Sequence, residues 1–137
     1  MNEQAKQKFV EFKMVEQKVE QVTQQLDQLE QQRQSLQNTL HALQELPSIT
    51  PQQEVLIPLA SGIYVKGQIH QTDSLLVQLG ASVTAQKTRE ETMALVTQQQ
   101  EQLDTLEQQL TDFLMELSQK ADDIHKQMMA LQQQPSA

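Results

Sequence analysis

A chain of 137 residues with formal charge −8 is long enough for one ordinary domain, yet it is only 3% aromatic and holds 3 Gly and 4 Pro. So few turn residues exclude a many-looped globule, and 10 basic against 18 acidic residues make nucleic acid a poor partner, because phosphate affinity comes from Lys and Arg. No apolar run reaches the roughly 18 residues that span a bilayer, no signal-peptide pattern follows the first residues, and the absence of Cys excludes disulfides and thiolate metal sites; the expectation is a cytoplasmic protein with no membrane partner.

Apolar side chains first recur at spacings of three and four: Phe12, Val15, Val19, Val22, Leu26, Leu29, Leu36, Leu40 and Leu43, with Arg33 in the missing slot. Such a heptad seam, separated mainly by Gln, Glu and Lys, predicts a coiled-coil helix over residues 1–46, stopped by Pro47 and Pro51. The 29 Gln of the chain agree with this, since Gln forms helix well and packs poorly in a core.

Residues 53–88 have a different period. Val55, Ile57 and Leu59 alternate with other residues, as do Ile63, Val65 and Ile69, then Leu75, Val77 and Leu79, and last Val83 and Ala85. Period two with β-branched residues predicts four short strands in two hairpins. Ser61-Gly62 would turn the first pair, Gln71 to Ser74 would link the pairs, and Gly80-Ala81 would turn the second. Pro58 fits a strand edge or end. Four strands of this length cannot close a barrel, and a small sheet with an apolar face and open edges is marginal alone, so these apolar rows are expected to be completed by other chains.

The heptad rhythm returns over 89–134 through Met93, Val96, Leu103, Leu110, Leu114, Leu117, Ala121, Ile124, Met128 and Leu131, with Gln100 and Glu107 as polar interruptions. Two helices of matched length around one insert are expected to fold back antiparallel, each burying the other's stripe. The polar residues in the seam read as register devices rather than an ion site. The fold class is therefore mainly α: one subunit over 1–137, a long antiparallel coiled-coil hairpin with two β-hairpins between its helices.

The run Val55-Leu56-Ile57-Pro58-Leu59, followed by Gly62-Ile63-Tyr64-Val65-Lys66-Gly67 and by Leu79-Gly80-Ala81 with Lys87-Thr88, resembles the α-type prefoldin subunits, the archaeal α subunit and its eukaryotic counterpart prefoldin subunit 5. Ala81 stands where that pattern commonly has Gly, and Gln86 where Glu often precedes the Lys. The resemblance implies a hexamer of two α-type and four β-type subunits, a barrel platform made by the hairpins, and coiled-coil arms that hold unfolded proteins for a group II chaperonin without ATP or another cofactor. It implies platform positions at Val55, Ile57, Leu59, Ile63, Val65, Leu79 and Val83.

No group suited to catalysis converges in the sequence. His41, His70 and His125 fall in the first helix, the strand block and the second helix, with no metal-ligand spacing near them, and neither Gly67 nor Gly80 belongs to a phosphate-cradling loop. The informative residues lie toward the outer ends of the helices, where Phe9, Val10, Phe12, Met14, Ile124, Met128, Met129 and Leu131 gather. The seam accounts for Phe12, Ile124, Met128 and Leu131. Phe9, Val10, Met14 and Met129 fall off it, as do Phe113 and Met115. These off-stripe residues either thicken the end of the coiled coil or form an exposed apolar patch that adapts to irregular clients. Lys6, Lys8, Lys13 and Lys18 offset Glu3, Glu11, Glu16 and Glu20 there, whereas Glu90, Glu91, Glu101, Asp104, Glu107, Asp112 and Glu116 leave most of the second helix acidic. That acidity serves solubility or keeps neighbouring arms apart. Two functions remain: a holdase subunit, or a structural coiled-coil adaptor that joins folded partners.

Overall fold

The computed structural model describes residues 2–133, which divide into two compact units: residues up to Gln32 with those from Gln102 onward, and Arg33–Glu101. Along the chain run helix α1 (Glu3–Glu45), a 3-10 turn (Leu46–Ser48), strands β1 (Glu54–Ala60), β2 (Ile63–Gln68), β3 (Ser74–Gln78) and β4 (Thr84–Thr88), and helix α2 (Arg89–Gln132).

Side chains set the helix ends. Asn2 Oδ1 accepts the Ala5 N–H at 2.7 Å and so satisfies one of the donors that a helix start leaves open. Pro47 sits in the turn that ends α1, and Ser48 Oγ donates to the Glu45 carbonyl at 2.6 Å. Helix α2 opens with a reciprocal cap. The Glu91 N–H donates to Thr88 Oγ1 at 3.1 Å, and Glu91 Oε1 accepts the Thr88 N–H at 3.2 Å. Next to it, Arg89 Nη1 donates at 3.2 Å to the carbonyl of Leu43, one of the acceptors left open near the end of α1.

In the first unit α1 and α2 pack antiparallel. The Phe12 ring centroid lies 6.3 Å from that of His125, and Val15, Val22, Leu117 and Ile124 form a buried cluster. Phe12, Val19, Leu26, Leu110, Leu114, Ala121 and Met128 pack against that cluster. Every seam position expected in this unit is buried or half-buried, Glu107 included, and half-buried Lys8 and buried Ala5 carry the stripe one heptad beyond its expected start. In the second unit the seam positions Leu36, Leu40, Leu43, Met93 and Val96 are likewise covered, with Arg33 and Gln100 half-buried among them.

The strands form two separate antiparallel hairpins, β1 with β2 and β3 with β4. In the first, Glu54 pairs with Gln68 and Pro58 with Tyr64, after which the register shifts so that Ala60 meets Ile63. Leu59 is the bulged residue, which breaks the expected alternation at its third member. Gly62 turns this hairpin with φ +77°, a conformation open mainly to glycine. Ile57 lies over Gly67, where an added Cβ would come 2.7 Å from Ile57 Cδ1.

The second hairpin corrects two expectations. Its connection is a five-residue loop, Leu79 to Val83, closed by the Leu79 N–H donating to the Val83 carbonyl at 2.8 Å. Gly80 does not adopt the positive φ that a two-residue hairpin turn requires, so the loop closes wider, and Leu79 and Val83 are its first and last residues instead of standing in the strands. Ile69 also lies outside a strand. The partner of Gln68 is Glu54, the first residue of β1, so the ladder ends before Ile69.

Candidate binding surfaces

The eight apolar residues expected at the helix ends separate into two groups in the first unit. Ile124 is buried, only 4% exposed, while Phe12 and Met128 pack half-buried against the core cluster and Leu131 is half-buried beside them in sequence. Phe9, Val10, Met14 and Met129 are exposed, and Phe113 and Met115 join them.

Successive residues turn by about 100° around a helix, so the exposed group does not form one stripe. Met14 and Phe113 share a groove of about 460 Å³ floored also by Val15 and Leu117, with Glu11, Lys18 and Lys120 at its rim. Val10 lies farther round α1, beside Lys6, Gln7 and Glu11. Phe9 falls on the opposite flank of the α1 seam, where Lys13 Nζ stands 5.5 Å from its ring centroid and also pairs with Glu16 at 3.5 Å. By the same angular count, Met115 and Met129 fall on the flank of α2 opposite Phe113. Leu131 borders a further shallow depression with Gln4, Gln7, Lys8, Gln127 and Ala130.

On the first hairpin Val55 is half-buried, whereas Ile57, Leu59, Ile63 and Val65 are exposed. The opposite face is apolar too, with Leu56, Pro58 and Tyr64 exposed. On the second hairpin Leu75, Val77 and Ala85 are half-buried on one face, Leu79 and Val83 are exposed at the loop, and Leu76 stands 80% exposed on the other face among Ser74, Gln86 and Thr84. Leu56, Tyr64 and Leu76 are the members that alternation alone overlooks. The unbroken apolar runs Val55 to Leu59, Ile63 to Val65 and Leu75 to Val77 are the signal for them, because strands covered on both faces read as continuous apolar stretches.

Ionisable groups offer little chemistry. Among the described residues no three His, Cys, Asp or Glu side chains cluster to hold a metal ion, and no described helix is long and apolar enough to cross a membrane. His41 Nε2 lies 3.1 Å from Glu45 Oε1 within α1, and His125 is occupied with Phe12.

Comparison with known proteins adds a consistent set of likenesses. The family model described as Prefoldin subunit matches residues 15–134. The Prefoldin subunit alpha of Methanococcoides burtonii is 29% identical over 82 residues, covering 60% of this chain and 59% of that protein. That of Methanosarcina acetivorans is 27% identical over 94 residues, covering 69% and 66%, and that of Thermofilum pendens is 28% identical over 65 residues, covering 47% and 50%. The matched stretch thus spans half to about two thirds of the length of these relatives. The cryo-EM structure of filamentous PFD from Methanocaldococcus jannaschii shares the fold, with a TM-score of 0.76 at 21% identity over 84% of this chain and 95% of that one.

Proposed function

The chain belongs to the prefoldin family as an α-type subunit, and from that membership we propose that it is an ATP-independent holdase that captures unfolded proteins and passes them to a group II chaperonin in the cytoplasm. In this reading residues 1–46 and 89–134 form the arm and residues 53–88 form the assembly platform, joining a second α-type and four β-type subunits in an α2β4 hexamer. The observation that carries it is the exposed apolar set Phe9, Val10, Met14, Phe113, Met115 and Met129, none of which the seam requires. Fully burying one such side chain contributes about 1.5 to 3 kcal/mol, so one arm binds weakly and several acting together hold a chain firmly. Met and Phe suit a client without fixed shape because they repack at small cost. The exposed apolar rows of both hairpins support the assembly role, since surface of that kind marks an interface.

The test is light scattering from an aggregating client, with this chain assembled with a β-type subunit. The assembly is expected to suppress aggregation, and a variant with Phe9, Val10, Met14 and Met129 all changed to Ser is expected to lose most of that effect at unchanged native mass. Full suppression by that variant would refute the helix-end assignment. A wild-type assembly that suppresses no unrelated client would instead support the adaptor that joins folded partners.

A further inference from the structure

We infer that the groove around Met14 and Phe113 prefers client segments in which an apolar side chain is flanked by carboxylates, an inference that rests on the holdase reading and narrows it. The floor is apolar, and Met14, Val15, Phe113 and Leu117 supply contact without direction. Selectivity has to come from the rim. There Glu11 is already balanced, its Oε2 lying 3.5 Å from Lys8 Nζ. Lys18 and Lys120 are not: neither makes an ion pair among the described residues. The carboxylates that follow Lys120 on α2 are engaged elsewhere, Asp122 with Lys126 at 3.3 Å and Asp123 with the Gln119 amide at 3.1 Å.

The opposite flank shows what a committed cation looks like, because Lys13 there covers the Phe9 ring and pairs with Glu16. The groove thus joins an open apolar floor to two ammonium groups that make no ion pair among the described residues, Glu116 one turn before Lys120 included, in a chain whose formal charge is −8. An acidic residue beside an apolar anchor finds its complement at Lys18 and Lys120, and a basic residue in the same place meets like charge. The remainder of the acidic surface repels an acidic segment over only about 10 Å at moderate salt, so the two lysines decide the sign locally.

The experiment uses the full chain assembled with a β-type subunit and three fluorescent peptides that share one Leu- and Phe-containing centre, flanked by Asp, Ser or Lys. At about 0.1 M salt, where the wider acidic surface is screened beyond about 10 Å, the Asp-flanked peptide is expected to bind about three- to tenfold more tightly than the Lys-flanked one, the range two exposed ion pairs supply. High salt should erase the difference, Lys18→Arg with Lys120→Arg should keep it, and Lys18→Glu with Lys120→Glu should reverse it. Met14→Ser should weaken all three peptides. Equal binding of the three peptides, with client aggregation still suppressed, overturns the charge preference and leaves the holdase reading standing. An Asp preference that survives the double Glu variant overturns the groove as its source, as does a rise in native mass showing a second copy of the chain seated there in place of the peptide. Failure of both peptide binding and suppression removes the holdase reading itself.

Discussion

Met14 and Val15 are neighbours on α1 with opposite surroundings, so replacing each by Ala separates surface from seam. Val15 is 6% exposed and belongs to the buried cluster with Val22, Leu117 and Ile124. Val15→Ala removes two methyl groups, about 1.6 kcal/mol at about 0.8 kcal/mol each. A residual cavity adds to this, and the better helix propensity of Ala returns about 0.5 kcal/mol, leaving a net loss of about 1.5 kcal/mol. Met14 is 64% exposed, so only about a third of the roughly 1.5 to 3 kcal/mol of full burial is at stake, and that is an upper bound. Met14→Ala is therefore expected to fall within about 0.5 kcal/mol of wild type. Thermal unfolding followed by circular dichroism should show the Val15 variant melting about 4 to 8 °C lower and the Met14 variant nearly unchanged. In the client-scattering assay below both transitions the order inverts, with Met14→Ala impaired and Val15→Ala close to wild type. If Met14→Ala proves as destabilising as Val15→Ala, Met14 belongs to a widened seam and the exposed-patch reading fails.

Four further outcomes follow from named residues. Thr88→Ala removes the hydroxyl that accepts the Glu91 N–H and should cost about 1 kcal/mol in denaturant unfolding. The Thr88 N–H, and then its hydroxyl, hold the Glu91 carboxyl below its usual pKa, so its stabilising contribution is complete above the unfolded-state value and is lost as pH falls through the lower folded value. The stability gap between wild type and Glu91→Gln should accordingly narrow on acidification below the ordinary carboxylate range; a gap independent of pH would contradict the cap. Arg89→Met breaks the 3.2 Å bond to the Leu43 carbonyl and should lower stability by about 1 to 2 kcal/mol, whereas an unchanged unfolding midpoint would show that this tie contributes nothing. Ile63→Asp or Val65→Asp places charge on the exposed apolar row of the first hairpin and should abolish assembly with a β-type subunit while helix content by circular dichroism stays intact; a normal hexamer by native mass would contradict the platform role.

The helical seam was legible almost residue by residue because heptad spacing and burial express one fact, the face a helix turns to its partner. Even Arg33, Gln100 and Glu107 fall where the spacing puts them, half-buried. The first hairpin was legible at Ser61-Gly62, where the positive φ of Gly62 makes glycine necessary. The second was not, because apolar alternation runs on through Leu79 and resumes at Val83 and carries no mark of where pairing stops. The Thr88 cap was readable in principle from a Thr followed three residues later by Glu. Around the helix ends, spacing separated Phe9 and Met14 from the seam but treated them as one set. Which flank each occupies, and which lysine is already committed to Phe9, depends on angle and on the second helix.

The two kinds of apolar surface in this chain have different thermodynamic consequences. The coiled coil is held by a single stripe, so the flank residues Met14, Phe113 and Met129 lie outside the main stabilising contacts. In the holdase reading, exchanging them is expected to change what the surface binds with little effect on stability. The hairpins have no such reserve. A two-stranded ribbon is marginally stable in water, and here Ile57, Ile63, Val65, Leu76 and Val83 all remain exposed within the single chain. In the assembly reading, the surface that recruits partners is the same surface that the strands need covered, so ordering the hairpins and joining the complex become one equilibrium. That coupling makes hairpin substitutions concentration-dependent in their effect and flank substitutions not, and a dilution series of unfolding curves distinguishes the two.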